Sequence, residues 1–367
     1  MKILFISHLK ESSGWSQAGI DYATALHTSG LEVVCRNIKL NNSPGETSPL
    51  VESLLSKSLD GITHVINHSL PHHWSYNSNV KNIGLFVYDT QRCGYEWSKS
   101  LQLMDEIFVP TEYVKQSIPS YVTKPIRIVP HCTDITKFDK KYTKPVIPEI
   151  EGTFRFYYVG ECSKRKNISD IVRAFHCEFK RHEPVSLILK TSIPGLNPDE
   201  SAKAIAEDCN RIKTETRLYP NVENYKPEVI ITNRLSEEQL FGLHTYCHCF
   251  VSTSRAEAWH MGLSDAVGFN NQVVFYDSNK VSMYPYLRGQ SSGRIPLDSE
   301  PCFGYTSSPF SFIGSSRESW LKSDITSLQH QMRLAYENRN SVRPRNRNVD
   351  DYSYEKVGQI MKGLLSE

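Results

Sequence analysis

The residues whose types could do chemistry gather in the stretch RAEAWHMGLSDAVG, residues 255–268, where two acids, Glu257 and Asp265, bracket Trp259, His260, Met261 and Gly262. A carboxylate accepts two hydrogen bonds at once, which suits the vicinal hydroxyls of a sugar or a ribose. The stretch reads as a loop that opens a helix, so the backbone amides of Trp259, His260, Met261 and Gly262 are expected to face a cleft and offer donors to a sugar or a phosphate. A surface loop followed by an ordinary helix would account for the same letters without chemistry.

Two further clusters bear on that choice. Lys164, Arg165 and Lys166 in VGECSKRKN stand between a strand end and a helix. There, cationic side chains and the positive end of the helix dipole can hold a diphosphate; a solvated basic turn is the plain alternative. In SSGWSQAG, Gly14 and Gly19 surround a strand-to-helix turn that lets backbone N–H groups approach an anion. That stretch matches neither a Walker loop nor a full dinucleotide fingerprint.

Metal chemistry finds no comparable support. Cys247 and Cys249 in HTYCHCF run into FVSTS, which reads as a buried strand, and no second ligand pair has finger spacing. His68, His72 and His73 cluster in INHSLPHHW, but Pro71 prevents a regular helical ligand pair, and the segment reads as a solvated or acceptor-side loop. No metal is expected.

The elements that must position these residues follow from periodicity. Short apolar runs alternate with amphipathic stretches: KILFIS, LEVVCRNI, THVIN, NIGLFVYD, DEIFVP and PIRIVP, then FRFYYVG, VSLILKT, EVIITN, CFVSTS and QVVFY. Strands so spaced, with helices between, imply parallel sheets covered on both faces. In NISDIVRAFHCEF, Ile168, Ile171, Val172 and Phe175 form one apolar stripe, and Ser236 with Gln239 has capping-box spacing. The pattern lapses at 139–152, DKKYTKPVIPEIEG, the best linker. Residues 277–315 show no period and read as a long surface excursion. WLKSDITSLQHQMRLAYENR and SYEKVGQIMKGLLSE read as two closing helices.

The expected architecture is α/β, with two doubly wound Rossmann-like domains facing across a cleft. Residues 1–145 are expected to form the first domain, 146–345 the second, and 346–367 a helix packing back on the first. Ligands of such sheets sit at the carboxyl ends of the strands. At 367 residues, two domains is the natural expectation. Lysine plus arginine (42) nearly cancels aspartate plus glutamate (40), so no global field favours nucleic acid or a membrane surface. Nine cysteines at irregular spacings fit reduced thiols and a cytoplasmic location, in a host cytoplasm if the chain is virus-encoded. No apolar run reaches membrane-spanning length or resembles a signal peptide, so stable membrane insertion is not expected.

Taken in order, these motifs resemble a known family. EAWHMGLSD is similar to the E-x7-E signature of retaining, group-1-type (family four-like) glycosyltransferases with the GT-B fold. VGECSKRKNISDIVRAF resembles their strand, basic loop and helix, VPHCTDITKF their interdomain segment, and NIGLFVYDTQRCGYEW with DEIFVPTEYVKQSI their acceptor-side half. The resemblance spans residues 1 to about 275 and the last fifty or so. It implies transfer of a sugar from a nucleotide-diphosphate donor, UDP- or GDP-linked, to an acceptor hydroxyl, with retention and without metal or cofactor. By matching position, Glu257 would hold the donor sugar's hydroxyls, Asp265 the ribose, and Arg165 and Lys166 the leaving diphosphate. Gly14 would pack against that diphosphate from the other half.

The chain departs from the family pattern in several places. The second acid is Asp265 rather than Glu. Glu161 stands where an arginine is usual, which shifts the phosphate load to Lys164, Arg165 and Lys166. Ala258 and His260 replace loop glycines, and Gly262 replaces a proline. On the acceptor side the chain offers VYDT, and Asp89 is expected near the acceptor hydroxyl as base or positioning group; an Asp there also serves as a turn or helix cap. His131 matches the interdomain segment and is expected to satisfy a backbone group. The acceptor is expected to be a glycan. A modified base of DNA is the alternative, motivated by Arg343, Arg345 and Arg347 in SVRPRNRN and by PHHW. A binding protein without turnover is the remaining reading.

Overall fold

The computed structural model describes residues 1–39, 44–303, 316–343 and 346–367. The first sheet contains β1 (Lys2–Ser7), β2 (Glu32–Asn37), β3 (His64–His68), β4 (Lys81–Leu85), β5 (Glu106–Val109) and β6 (Ile126–Ile128), paired in the order β2-β1-β3-β4-β5-β6. Every pairing is parallel. Helices α1 (Gly14–Thr28), α2 (Pro49–Leu55), α3 (Tyr95–Leu103) and α4 (Glu112–Ser117) connect these strands. Ser13 starts α1 by accepting from the Ser16 N–H at 3.1 Å.

The second sheet contains β7 (Phe154–Val159), β8 (Val185–Lys190), β9 (Val229–Ile231), β10 (Cys249–Ser252), β11 (Gln272–Ser278) and β12 (Arg294–Leu297), in the order β12-β11-β10-β7-β8-β9, again all parallel. Helices α5 (Ile168–Glu178), α6 (Pro198–Thr216), α7 (Glu237–Tyr246) and α8 (Met261–Gly268) link successive strands. The α5 stripe of Ile168, Ile171, Val172 and Phe175 is buried, and the Ser236–Gln239 capping box at the start of α7 is formed. Strand order reverses between β7 and β10, so the loops after those two strands flank a topological switch point, the usual ligand crevice of such sheets.

Several expectations need correction. Residues 277–303 are no surface excursion: Met283, Tyr284 and Tyr286 are fully buried, and β12 extends the sheet. Residues 304–315 of that stretch lie outside the described residues. A short antiparallel ribbon, β13 (Ser299–Pro301) with β14 (Ser319–Leu321), takes residues assigned above to a helix. Helix α9 (Ile325–Glu337) begins later, where Asp324 accepts from the Ser327 N–H at 2.9 Å. His68 is not on a solvated loop: it ends β3, buried, with Nδ1 hydrogen-bonded to Ser7 Oγ at 2.8 Å. Cys247 and Cys249 are buried, and among the described residues no group of side chains has the makings of a metal site. Likewise no described helix is long and apolar enough to cross a membrane.

After β6 the chain crosses to the second sheet, and α10 (Tyr354–Leu365) returns to pack on α1. Val357, Met361 and Leu365 join the apolar cluster beneath β1 and α1; complete burial of such a side chain contributes about 1.5–3 kcal/mol. Close approach depends on Gly358, where a Cβ would stand 2.2 Å from the Ala25 carbonyl oxygen. Gly358→Ala should therefore destabilise by roughly 1–3 kcal/mol through overpacking. An unchanged denaturant midpoint would show that α10 does not dock this way.

Asp21 is buried on the same helix pair. It accepts from Tyr354 Oη at 2.7 Å and from Gln17 Nε2 at 3.1 Å. Burial pushes its carboxyl up to about 7 from 3.8, against the opposing pull of the Tyr354 hydroxyl and Lys137. Between pH 4 and 7 the unfolded chain releases this proton while the folded chain keeps it, so stability from this group falls as pH rises through that window. Asp21→Asn keeps an acceptor for Tyr354 and should flatten the slope, measured as unfolding midpoint against pH. Parallel slopes in the two proteins would contradict the assignment.

Candidate active site

The loop after β7 carries the basic cluster. A Cβ on Gly160 would lie 2.4 Å from Tyr158 Oη, so only glycine lets the chain leave the strand there. The loop is stitched to its neighbour after β10. The Arg255 N–H donates to the Arg165 carbonyl at 2.8 Å, and Arg165 Nη1 donates to the Ala256 carbonyl at 2.8 Å. Thr253 Oγ1 donates to the Asn167 carbonyl at 2.7 Å. These bonds fix the two loops at the switch point as one unit.

Within that unit Glu257 is the anchor. Its side chain is only 5% exposed, and Oε1 lies 2.5 Å from Lys166 Nζ and 3.2 Å from Arg165 Nη1. Ser254 Oγ donates to the same oxygen. Burial alone would raise the Glu257 carboxyl; Lys166 and Arg165 override it and hold the group well below the usual carboxylate range. It is ionised at neutral pH.

Asp89 arrives from the other lobe, on the loop after β4. Its Oδ2 lies 3.3 Å from Arg165 Nε, and its Oδ1 accepts the Ala258 N–H at 3.2 Å. Burial raises its carboxyl, and the Arg165 guanidinium only partly opposes this. One guanidinium thus sits between Asp89 and Glu257, whose affinities for a proton are pushed in opposite directions. Such divergence is how a site assigns different roles to two acids. Glu161 lies 3.8 Å from Arg165 Nη2, closing the ring of acids.

The other sequence candidates separate. Lys164 is exposed and outside this cluster. Asp265 does not join Glu257: it lies on α8, where Lys137 Nζ meets its Oδ1 at 2.7 Å, both side chains nearly buried. Lys137 comes from the crossing segment, so this pair ties that segment to α8. Gly14 opens α1 opposite α8, and a Cβ there would stand 3.8 Å from Met261 Sδ. Met261 and Gly262 are the first residues of α8, so their N–H groups have no intrahelical partner. Gly262 fits where a Cβ would meet the Val159 carbonyl oxygen at 3.1 Å.

Trp259 and His260 contribute packing. The Trp259 carbonyl accepts from Tyr286 Oη at 2.8 Å, and its ring stacks on His131 with centroids 5.6 Å apart. His260 takes a left-handed conformation (φ 67°) as the cap of α8; its Nε2 is 3.0 Å from Ser252 Oγ, and burial lowers it to about 3. It is a neutral strut. His131 does not satisfy a backbone group as expected: among the described residues neither ring nitrogen has a hydrogen-bond partner in its buried seat between Tyr22 and Trp259. Arg343 donates to the Asn270 carbonyl at 3.1 Å. Arg345 lies outside the described residues, as does the side chain of Arg347. Lys137 was missed by sequence reasoning, since nothing in TDITKF marks one lysine as buried.

No protein-family profile matches the chain, and no curated protein matches it in sequence. Solved structures do. A glycosyltransferase from Rickettsia africae superposes with a TM-score of 0.63 at 10% identity, covering 99% of this chain and 97% of the other. Sucrose-phosphate synthase from Thermosynechococcus elongatus gives 0.63 at 13%, covering 100% and 98%. HepE from Anabaena in complex with UDP-glucose gives 0.59 at 12%, covering 100% and 99%. At such identities the likeness concerns architecture, and together with the two parallel six-stranded sheets it establishes that this chain has the GT-B fold.

Proposed function

We propose that the chain is a glycosyltransferase that moves a sugar from a nucleotide-diphosphate donor to an acceptor hydroxyl. The observation that carries this reading is the convergence of Arg165, Lys166 and Glu257 at the switch point of the second sheet, with Asp89 reaching Arg165 from the first lobe. Anionic charge that grows on a departing diphosphate is stabilised by preset cations in a water-poor cleft, usually a large catalytic term. Arg165 and Lys166 take that role here. The diphosphate replaces part of the carboxylate shell around them, and Glu257 turns its remaining acceptor capacity to the donor sugar's hydroxyls. The N–H groups of Met261 and Gly262 add donors at the start of α8, with Gly14 opposite.

In the reaction the bond from the anomeric carbon to the diphosphate oxygen breaks, and the electron pair leaves with the phosphate. The acceptor hydroxyl attacks the same face, giving retention, and its proton passes to the departing phosphate oxygen. Asp89 orients that hydroxyl. No step calls for a metal, because the two cations do the charge compensation. A hydrolase would need a proton-donating acid facing a second carboxylate across one bond; here both acids share a guanidinium, which suits a phosphate leaving group. The acceptor we propose is a glycan hydroxyl, since 42 basic and 40 acidic residues nearly cancel and give no global field for a nucleic acid. The UDP-glucose bound by HepE makes a UDP-linked sugar the first donor to try. The Lys137–Asp265 pair means that ribose contact by Asp265 requires this ion pair to share or yield its carboxylate.

Thermal-shift titration with UDP, GDP, ADP and their sugars should single out one nucleotide. A ligand at a hundred times its Kd adds about 2.7 kcal/mol to the folded state. With that donor, Lys166→Ala and Glu257→Gln should each lower turnover by roughly 10²-fold or more. Turnover equal to wild type in both variants would remove the site assignment. Binding without turnover in wild type, on glycan and on hydroxymethylated duplex DNA alike, would mark a non-catalytic nucleotide-sugar binder.

A further inference from the structure

The β13–β14 ribbon belongs to the second lobe by sequence, yet it grips the first. The Gln91 N–H donates to the Ser319 carbonyl at 3.0 Å. Gln91 Oε1 accepts from Ser319 Oγ at 3.3 Å and from Ser299 Oγ. Thr90 Oγ1 donates to Glu318 Oε2 at 2.8 Å, and Glu318 is 3% exposed. A Cβ on Gly94 would lie 3.6 Å from Glu318 Oε1, so the carboxylate sits within the loop that follows β4. Thr90 and Gln91 are the two residues after Asp89.

The same ribbon holds the second-lobe loops. The Leu321 N–H donates to the Arg255 carbonyl at 2.8 Å, and Arg255 Nη1 pairs with Glu300 Oε1 at 2.5 Å. The Arg255 guanidinium lies over the Trp320 ring, 5.2 Å from its centroid. Arg255 is in turn the residue whose N–H holds the Arg165 carbonyl. One ribbon therefore touches the loops that carry Asp89 and Glu257, and reaches the Arg165 loop through Arg255. A buried carboxylate is costly unless hydrogen-bonded, so Glu318 makes a directional peg for the Thr90 hydroxyl.

We propose that Glu318 is a positioning residue: with the Gln91–Ser319 bond, its hydrogen bond from Thr90 fixes the Asp89 carboxylate against Arg165 and the Ala258 N–H for the transfer step. The inference rests on the reading of Arg165, Lys166 and Glu257 as the donor site. It separates acceptor-side geometry from donor affinity, because Glu318 accepts from Thr90 on the Asp89 loop, whereas Lys166 and Arg165 hold Glu257.

The test compares Glu318→Ala, Thr90→Val and Glu318→Gln in the full chain. The first two should lower kcat by about tenfold to a hundredfold, the range for small misplacements of a reacting group, while KM for the donor stays near wild type. Glu318→Gln keeps an acceptor for Thr90 and should restore kcat. Amide exchange at Gln91 and Ala258 should quicken in Glu318→Ala and return towards wild type in Glu318→Gln. Should Glu318→Ala fail to fold, Thr90→Val carries the same comparison. Unchanged kcat in Thr90→Val, a parallel loss of donor affinity, or a Gln variant as impaired as Ala would overturn the proposal. If wild type neither binds nor turns over a nucleotide sugar, the donor-site reading fails instead, and the exchange rates still decide whether Glu318 holds the loop.

Discussion

The guanidinium of Arg165 is the point on which this molecule turns. It faces Asp89 from one lobe and Glu257 and Glu161 from the other, at 3.3, 3.2 and 3.8 Å. A planar, permanently charged fork is suited to holding several carboxylates at once, and a lysine could not replace it geometrically. With 12% of its side chain exposed, the charge has little water to solvate it and must be met by acids. The acids gathered around Arg165 and Lys166 meet that need, and they leave an anion-shaped demand that a diphosphate can satisfy in their place.

The surrounding structure serves that demand. The switch point in strand order opens the crevice between β7 and β10, and hydrogen bonds between the two loops keep the cations close to Glu257. Neutral, buried imidazoles then fill the space around the charges. His260 caps α8 and His131 stacks on Trp259, both held uncharged by burial, so neither adds a cation to Arg165 and Lys166. Asp89–Arg165 joins the two lobes, and Lys137–Asp265 ties the crossing segment to α8. Such directional pairs fix how these parts meet more strictly than apolar contact would.

Much of this was readable from the letters. Short apolar runs alternating with amphipathic helical stretches marked all but one strand of the two sheets, and the loop carrying Lys164, Arg165 and Lys166 could be placed after a strand end, where parallel sheets present their ligands. Glu257 was visible as an acid in a strand-to-helix loop. What sequence does not carry is which charges meet once the lobes close. Asp265 was expected to face a ribose, and nothing in its neighbourhood announces that it pairs with Lys137, a residue with no local signature. The aperiodic stretch after β11 hid β12 and the ribbon, because its order comes from pairing with distant segments rather than from its own pattern. Burial of His68 likewise depends on Ser7 and Trp15, far away in sequence.

Whether Arg165 and Lys166 receive the diphosphate of a sugar nucleotide is decided by a crystal structure with the nucleoside diphosphate that best stabilises the protein. Phosphate oxygens are expected within hydrogen-bonding distance of Arg165 and Lys166, with Asp89 displaced from or sharing the guanidinium and Glu257 retained beside Lys166. A nucleotide seated elsewhere, with the Asp89–Arg165–Glu257 contacts unaltered, would contradict that assignment.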